Sequence, residues 1–168
     1  MRRFVVPALL MLFTAALDSA LLPELFVGAW RPRLTLILAS LWAHGGDIDG
    51  AVTAFIGGFA LEAVSGLPFG INLFGLMLGN VVALGVDQAP IPSTVLRATN
   101  WVATTTLVYQ LTLLGAQIVR GMDVNLDFAV TSVILPTMLF HPLLAIPLSF
   151  VVRPAQAALR RGGIRGRR

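Results

Sequence analysis

Residues able to support acid–base, metal or nucleophile chemistry are few in this sequence, and they are scattered. There is no cysteine, and the two histidines, His44 and His141, lie in different segments. A thiolate site and a disulfide are therefore excluded, and a metal would need two or three further ligands that the spacing does not offer. His141 sits inside a long apolar run just before Pro142, where a lone imidazole reads as a helix-to-helix hydrogen-bond partner. Two carboxylates also fall within apolar runs. A carboxylate at membrane depth is costly. It marks a proton, cation or partner site, or else lies close enough to the interface to reach headgroup water. Asp18, near the end of its run, reads as the headgroup case. Glu62 stands about 18 Å along the run that begins at Ala51, at 1.5 Å per residue, and for it both readings stand, because Ser65, Gly66 and Asn72 gather around the following turn. Asp47 and Asp49 read as solvated turn residues, and Thr104, Thr105 and Thr106 as hydroxyls bonding back to their own helix. No Ser–His–Asp set, HExxH, phosphate loop or pair of carboxylates on one helix is present. The expectation is a protein that is not an enzyme and carries no cofactor and no metal.

The elements that hold these residues are apolar. Of 168 residues, 57% are apolar and 12% charged, the latter about half the share of a soluble domain, and the mean hydropathy is +0.85. Lipid is the solvent that makes this composition stable. The apolar runs are 4–22, 34–43, 51–66, 71–86, 98–119 and 128–152. The first follows two arginines and resembles a signal peptide at its start, but its length and the runs after it favour a retained helix. The second has ten residues against the roughly 20 needed to span, and the third is a weak span rich in small residues. Pro23, Pro32, Pro90 and Pro92 break the connections, and Trp30 suits a headgroup level. Pro136, Pro142 and Pro147 imply kinks in the last run. The expected fold class is an all-α membrane protein, a bundle of about six short transmembrane helices over 1–152, followed by a basic tail over 153–168.

All twelve basic residues are arginine. With six spans, Arg2, Arg3, Arg97 and six tail arginines share one side, against Arg31, Arg33 and Arg120 on the other. Nine against three places both termini in the cytoplasm by the positive-inside rule. Arg160, Arg161, Arg165, Arg167 and Arg168 are candidates for anionic lipid headgroups. The tail lacks the interleaved aromatics and surrounding fold of a nucleic-acid module, so no nucleic-acid partner is expected.

Glycines concentrate in the middle of the chain. Gly75 and Gly79 form a GxxxG, with Gly57, Gly58, Gly66, Gly70 and Gly85 nearby, a pattern that permits close helix approach. It serves either internal packing, the reading preferred, or a partner face. From Trp30 to Gly85 the chain resembles the MreD family, the rod shape-determining membrane proteins. The resemblance is carried by Arg31-Pro32-Arg33-Leu34, the polar turn from His44-Gly45 to Gly50, Gly58-Phe59, Leu61-Glu62, Ser65-Gly66 and Pro68-Phe69-Gly70. It covers about a third of the chain; the last two spans match only in hydropathy. The family commonly has an acid where Arg33 stands, and Asp where Glu62 stands. The first change reverses a charge.

This resemblance implies a fold similar to the six-helix substrate-binding subunits of energy-coupling-factor transporters. It also implies a non-catalytic part in the bacterial cell-wall elongation complex, in the inner membrane. The implied partners are MreC directly, and MreB, RodA and a class B penicillin-binding transpeptidase indirectly. Gly58, Glu62, Gly66, Pro68, Gly70, Gly75 and Gly79 are the packing and partner candidates. The alternative is a substrate-binding subunit of a vitamin-type transporter, with Glu62, Asn72, Asn80, Gln110 and Gln117 as the polar groups of its cavity.

Overall fold

A computed structural model describes residues 2–25, 31–44, 48–88, 91 and 93–165. Trp30, Gly45, Pro90, Pro92, Arg167 and Arg168 lie outside the described residues. The described residues are mostly helical, with no strand among them. The elements are α1 (Arg2–Ala20), the short α2 (Leu22–Leu25), α3 (Leu34–Ala43), α4 (Ile48–Val64), α5 (Ile71–Val86), α6 (Thr94–Val119), the short α7 (Leu126–Phe128), a π-helical stretch (Ala129–Ile134) and α8 (Leu135–Arg165). Three helical stretches, Phe4–Leu25, Thr94–Val119 and Leu126–Leu159, are long and apolar enough to cross a membrane. The chain is a helical membrane protein on that ground.

The arrangement follows from which helix buries what. In α3 every residue from Thr35 to Ala43 is buried. Around it α1, α4, α5, α6 and α8 form a ring in that order, each packed on the next, with α1 and α8 meeting over the shortest stretch. At about 15 Å long, α3 reaches only half of a ~30 Å hydrocarbon core. A ten-residue helix that is apolar all round can be stable only inside such a ring. The shared core includes Met11 and Ala15 of α1, Leu36 and Ile37 of α3, Leu76 of α5, Val102 and Tyr109 of α6 and Ala145 of α8. Outward-facing residues are large and apolar, as in Leu9, Phe13, Phe74, Leu139 and Phe150, which suits lipid contact.

Glycines set the closest approaches. A Cβ on Gly79 would lie 2.8 Å from the Thr105 carbonyl oxygen of α6, one on Gly75 3.1 Å from the Tyr109 ring, and one on Gly58 2.9 Å from Leu73. These three residues pack helices within the bundle. By contrast, Gly66 and Gly70 would meet nothing within 4 Å. Gly70 is required for another reason: its φ of 101° is a left-handed value that a side chain resists, and it starts α5 after the turn through Pro68.

Two boundaries differ from the sequence expectation. Helix α6 begins at Thr94, capped by Ser93, whose hydroxyl accepts from Leu96 N at 3.4 Å, so part of the expected 87–97 loop is helix. The last helix runs on to Arg165 through Pro142, Pro147 and Pro154, so residue 152 marks no break; Arg160, Arg161 and Arg165 continue α8. The π-helical stretch ends two residues before Pro136, whose missing N–H cannot close the preceding turn; widening the register there is a known response to such a gap.

Candidate functional site

The polar residues of the apolar helices converge at the start of α3. Arg33 lies just before the helix in extended backbone and has no local side-chain cap. The cap arrives from another helix. Asp18 of α1 accepts from Leu34 N at 2.8 Å with one carboxylate oxygen and from Thr35 N at 2.9 Å with the other. An anion there satisfies two of the helix's orphan donors and opposes its dipole. The headgroup reading of Asp18 is thus replaced by a structural one, because these amides offer a better partner than water. Thr35 then donates to Thr14 of α1 at 3.0 Å.

Glu62 does for α5 what Asp18 does for α3. It is buried in α4, and one carboxylate oxygen accepts from Leu73 N at 3.0 Å; its other oxygen has no hydrogen-bond partner among the described residues. Asn72 is fully buried beside it and donates to Ser65 at 2.7 Å.

Arg33 joins these caps to α6 and α8. Its guanidinium donates to the Tyr109 hydroxyl at 2.6 Å and to Asn72 Oδ1 at 3.4 Å, and lies 5.5 Å from the centre of the Tyr109 ring. Tyr109 in turn donates to Asn72 Oδ1 at 2.6 Å. The Arg33 backbone N–H donates to His141 Nε2 at 3.1 Å. Because that nitrogen accepts, the neutral ring carries its proton on Nδ1, which donates to Thr106 at 3.1 Å. His141 is fully buried and acts as a helix-to-helix link. The Thr104–Thr106 expectation is corrected in part: Thr106 reaches His141, and the buried Thr105 hydroxyl has no partner. Back-bonding to the own helix occurs instead at Thr99 and Thr112.

Two cavities flank Arg31-Pro32-Arg33. The larger, about 470 Å³, is lined by Arg31, Arg33, Gln110, Gln117 and Thr137 together with apolar side chains of α6 and the π-helical stretch. The smaller, about 260 Å³, lies on the α1 and α4 side and includes Asp18, Leu61 and Ser65. Of the polar groups expected to line one cavity, only Gln110 and Gln117 do so. Asn80 is elsewhere, accepting from Trp101 Nε1 at 2.8 Å. No cluster of metal-ligating side chains is found among the described residues.

At the opposite end of the bundle, Arg97 donates two hydrogen bonds to Asp87, at 2.6 and 3.1 Å. This pairing holds the Asp87 carboxyl below its ordinary range. His44 lies 3.9 Å from Asp87 and edge-on to Trp101. Burial pulls its pKa down, a shift that Asp87 partly opposes. Arg153 donates to the Thr94 carbonyl, and Gln156 to the Trp42 carbonyl at 3.0 Å, tying α8 to α6 and α3.

No family model, curated protein or solved structure matches this chain. Function must therefore be argued from the site and from the resemblance in residues 30–85.

Proposed function

We propose that this protein is a non-catalytic scaffold of the bacterial cell-wall elongation complex, of the MreD type. It would lie in the inner membrane as a six-helix bundle with both termini cytoplasmic. One observation carries the reading: several of the residues on which the resemblance rests help hold the frame together. Leu34 starts the central helix, Gly58 seats α4 on α5, Glu62 caps α5, and Gly70 turns the chain into it. A frame whose polar groups are mostly bound to one another, inside an apolar wall, suits packing beside other membrane helices. The partner in this reading is the single membrane helix of MreC, and through it MreB, RodA and the transpeptidase. The joint between α1 and α8 is the thinnest part of the ring, and large apolar side chains of both helices face outward, which makes it the preferred seat. Anionic lipid would meet the arginines at the end of α8.

The test is co-expression with MreC of the same genome and detergent purification through a tag on this chain. A stoichiometric complex is expected; recovery of this chain alone would overturn the reading. The larger cavity favours a second one, a substrate-binding transporter subunit. It fits a chain that purifies alone with a small molecule detectable by mass spectrometry.

A further inference from the structure

The larger cavity has a composition that the scaffold reading does not use. We propose that it binds a phosphate group, presented by an anionic lipid or as a free ion, through Arg31 and Arg33. This site is independent of whether the chain binds MreC.

The argument begins with charge. Asp18 and Glu62 direct oxygens to backbone amides, and among the described residues neither arginine has a carboxylate at ion-pair distance. Arg33 is held by Tyr109 and Asn72 with one of its nitrogens; Arg31 has no hydrogen-bond partner among the described residues. Arg33 is half-buried and Arg31 exposed at the same end of the bundle; a cation without an ion-pair partner at the edge of a membrane is costly, and an anion held by both relieves that cost. Guanidinium donors match phosphate oxygens in geometry, in pairs.

Shape points the same way. Gln110, Leu113, Leu114 and Gln117 of α6 line the cavity, and their spacing places them on one helical face. That face offers two amides at its edges and two leucines between them. Across from it, Ala129, Val133 and Ile134 form an apolar wall with Thr137 below. A wall of this kind suits a chain-bearing ligand whose polar end meets the arginines. The volume, about 470 Å³, lies within the usual range for small-ligand sites, about 300–1,000 Å³. The π-helical stretch forms part of the lining, and such local widening recurs at functional sites.

The experiment uses the full chain purified in detergent. Native mass spectrometry measures retention of phosphatidylglycerol against phosphatidylcholine, and a melting assay measures the response to inorganic phosphate. Phosphatidylglycerol should be retained preferentially, and Arg31→Gln should lower its retention roughly tenfold, the loss of a charge-assisted hydrogen bond. Arg31→Lys should keep part of it, and Gln117→Leu should weaken it less. Arg97→Gln, which removes a charge at the opposite end of the bundle, should leave it unchanged. Arg31 has no side-chain partner to lose among the described residues, so its variants should melt like the wild type. If phosphate alone raises the melting temperature and Arg31→Gln removes that rise, while lipid is not retained, the source is the free ion and the site stands. Equal retention of both lipids with no phosphate response would overturn the proposal. So would equal losses in Arg31→Gln and Arg97→Gln.

Discussion

The two ends of this bundle use charge in opposite ways. Around Arg33 three charges are drawn into the frame and each does a structural task, while Arg31 beside them is exposed. Asp18 caps α3, Glu62 caps α5, and Arg33 links Asn72, Tyr109 and His141. Around Asp87 the partners are more open: Arg97 is 40% exposed and reaches its carboxylate along the surface. A hydrogen bond to a charged group away from water is worth about 1.5–3 kcal/mol, whereas an exposed ion pair contributes little. The comparison teaches that polar content alone does not locate the groups that matter; enclosure does.

The largest effect should come from breaking the close packing that encloses the Arg33 end. Gly79→Leu would force α5 away from the Thr105 backbone, and the variant should fail to give a folded, monodisperse protein in detergent. Gly85→Leu, in the same helix but with open space at its Cβ, should behave like the wild type by size-exclusion chromatography. Next in size, Asp18→Ala strands two amides of α3 and should cost about 2–3 kcal/mol in reversible denaturation in mixed micelles. A silent Asp18→Ala would erase the contrast between the two ends. Tyr109→Phe removes one hydroxyl shared by Arg33 and Asn72, and should cost about 1–2 kcal/mol by the same assay.

The smallest effect is expected at the open end, as a pH dependence. The pKa of His44 is lowered in the folded state from its ordinary 6.5. Its contribution is therefore fully present above pH 6.5 and is lost as the pH falls through that value toward the folded one. Asp87 is lowered from 3.8, so its contribution is fully present above that pH and is lost as the pH falls from there through its folded value. Melting temperature should decline modestly below pH 6.5, and His44→Gln should flatten that part of the curve.

Much of the frame was legible in the sequence. Each of the six apolar runs holds a helix, and three of them lie in stretches long and apolar enough to cross a membrane, because lipid demands apolar surface and backbone satisfaction from each segment. The run 34–43 was visible as too short, although its central place was not. Gly75 and Gly79 were legible as close-packing residues, since spacing alone puts them on one face. What could not be read were the capping roles of Asp18 and Glu62. Their amide partners belong to other helices, 16 and 11 residues away at the nearest, and no local pattern encodes a cap delivered across a bundle. Arg33 stood out in sequence only as a departure from the family pattern; its place between two cavities emerged with the fold.

The central helix and its ties to α1 are the point on which the architecture turns, and the absence of native cysteine allows a clean test. Thr14 and Thr35 place their hydroxyl oxygens 3.0 Å apart, within reach of a disulfide after small adjustment. The measurement is oxidative cross-linking of the Thr14→Cys/Thr35→Cys double variant in membranes, with a protease site inserted between α2 and α3. The two fragments should stay joined after cleavage and separate on reduction. Fragments that separate without reductant would contradict the placement of α3 against α1, and with it the enclosed site around Arg33.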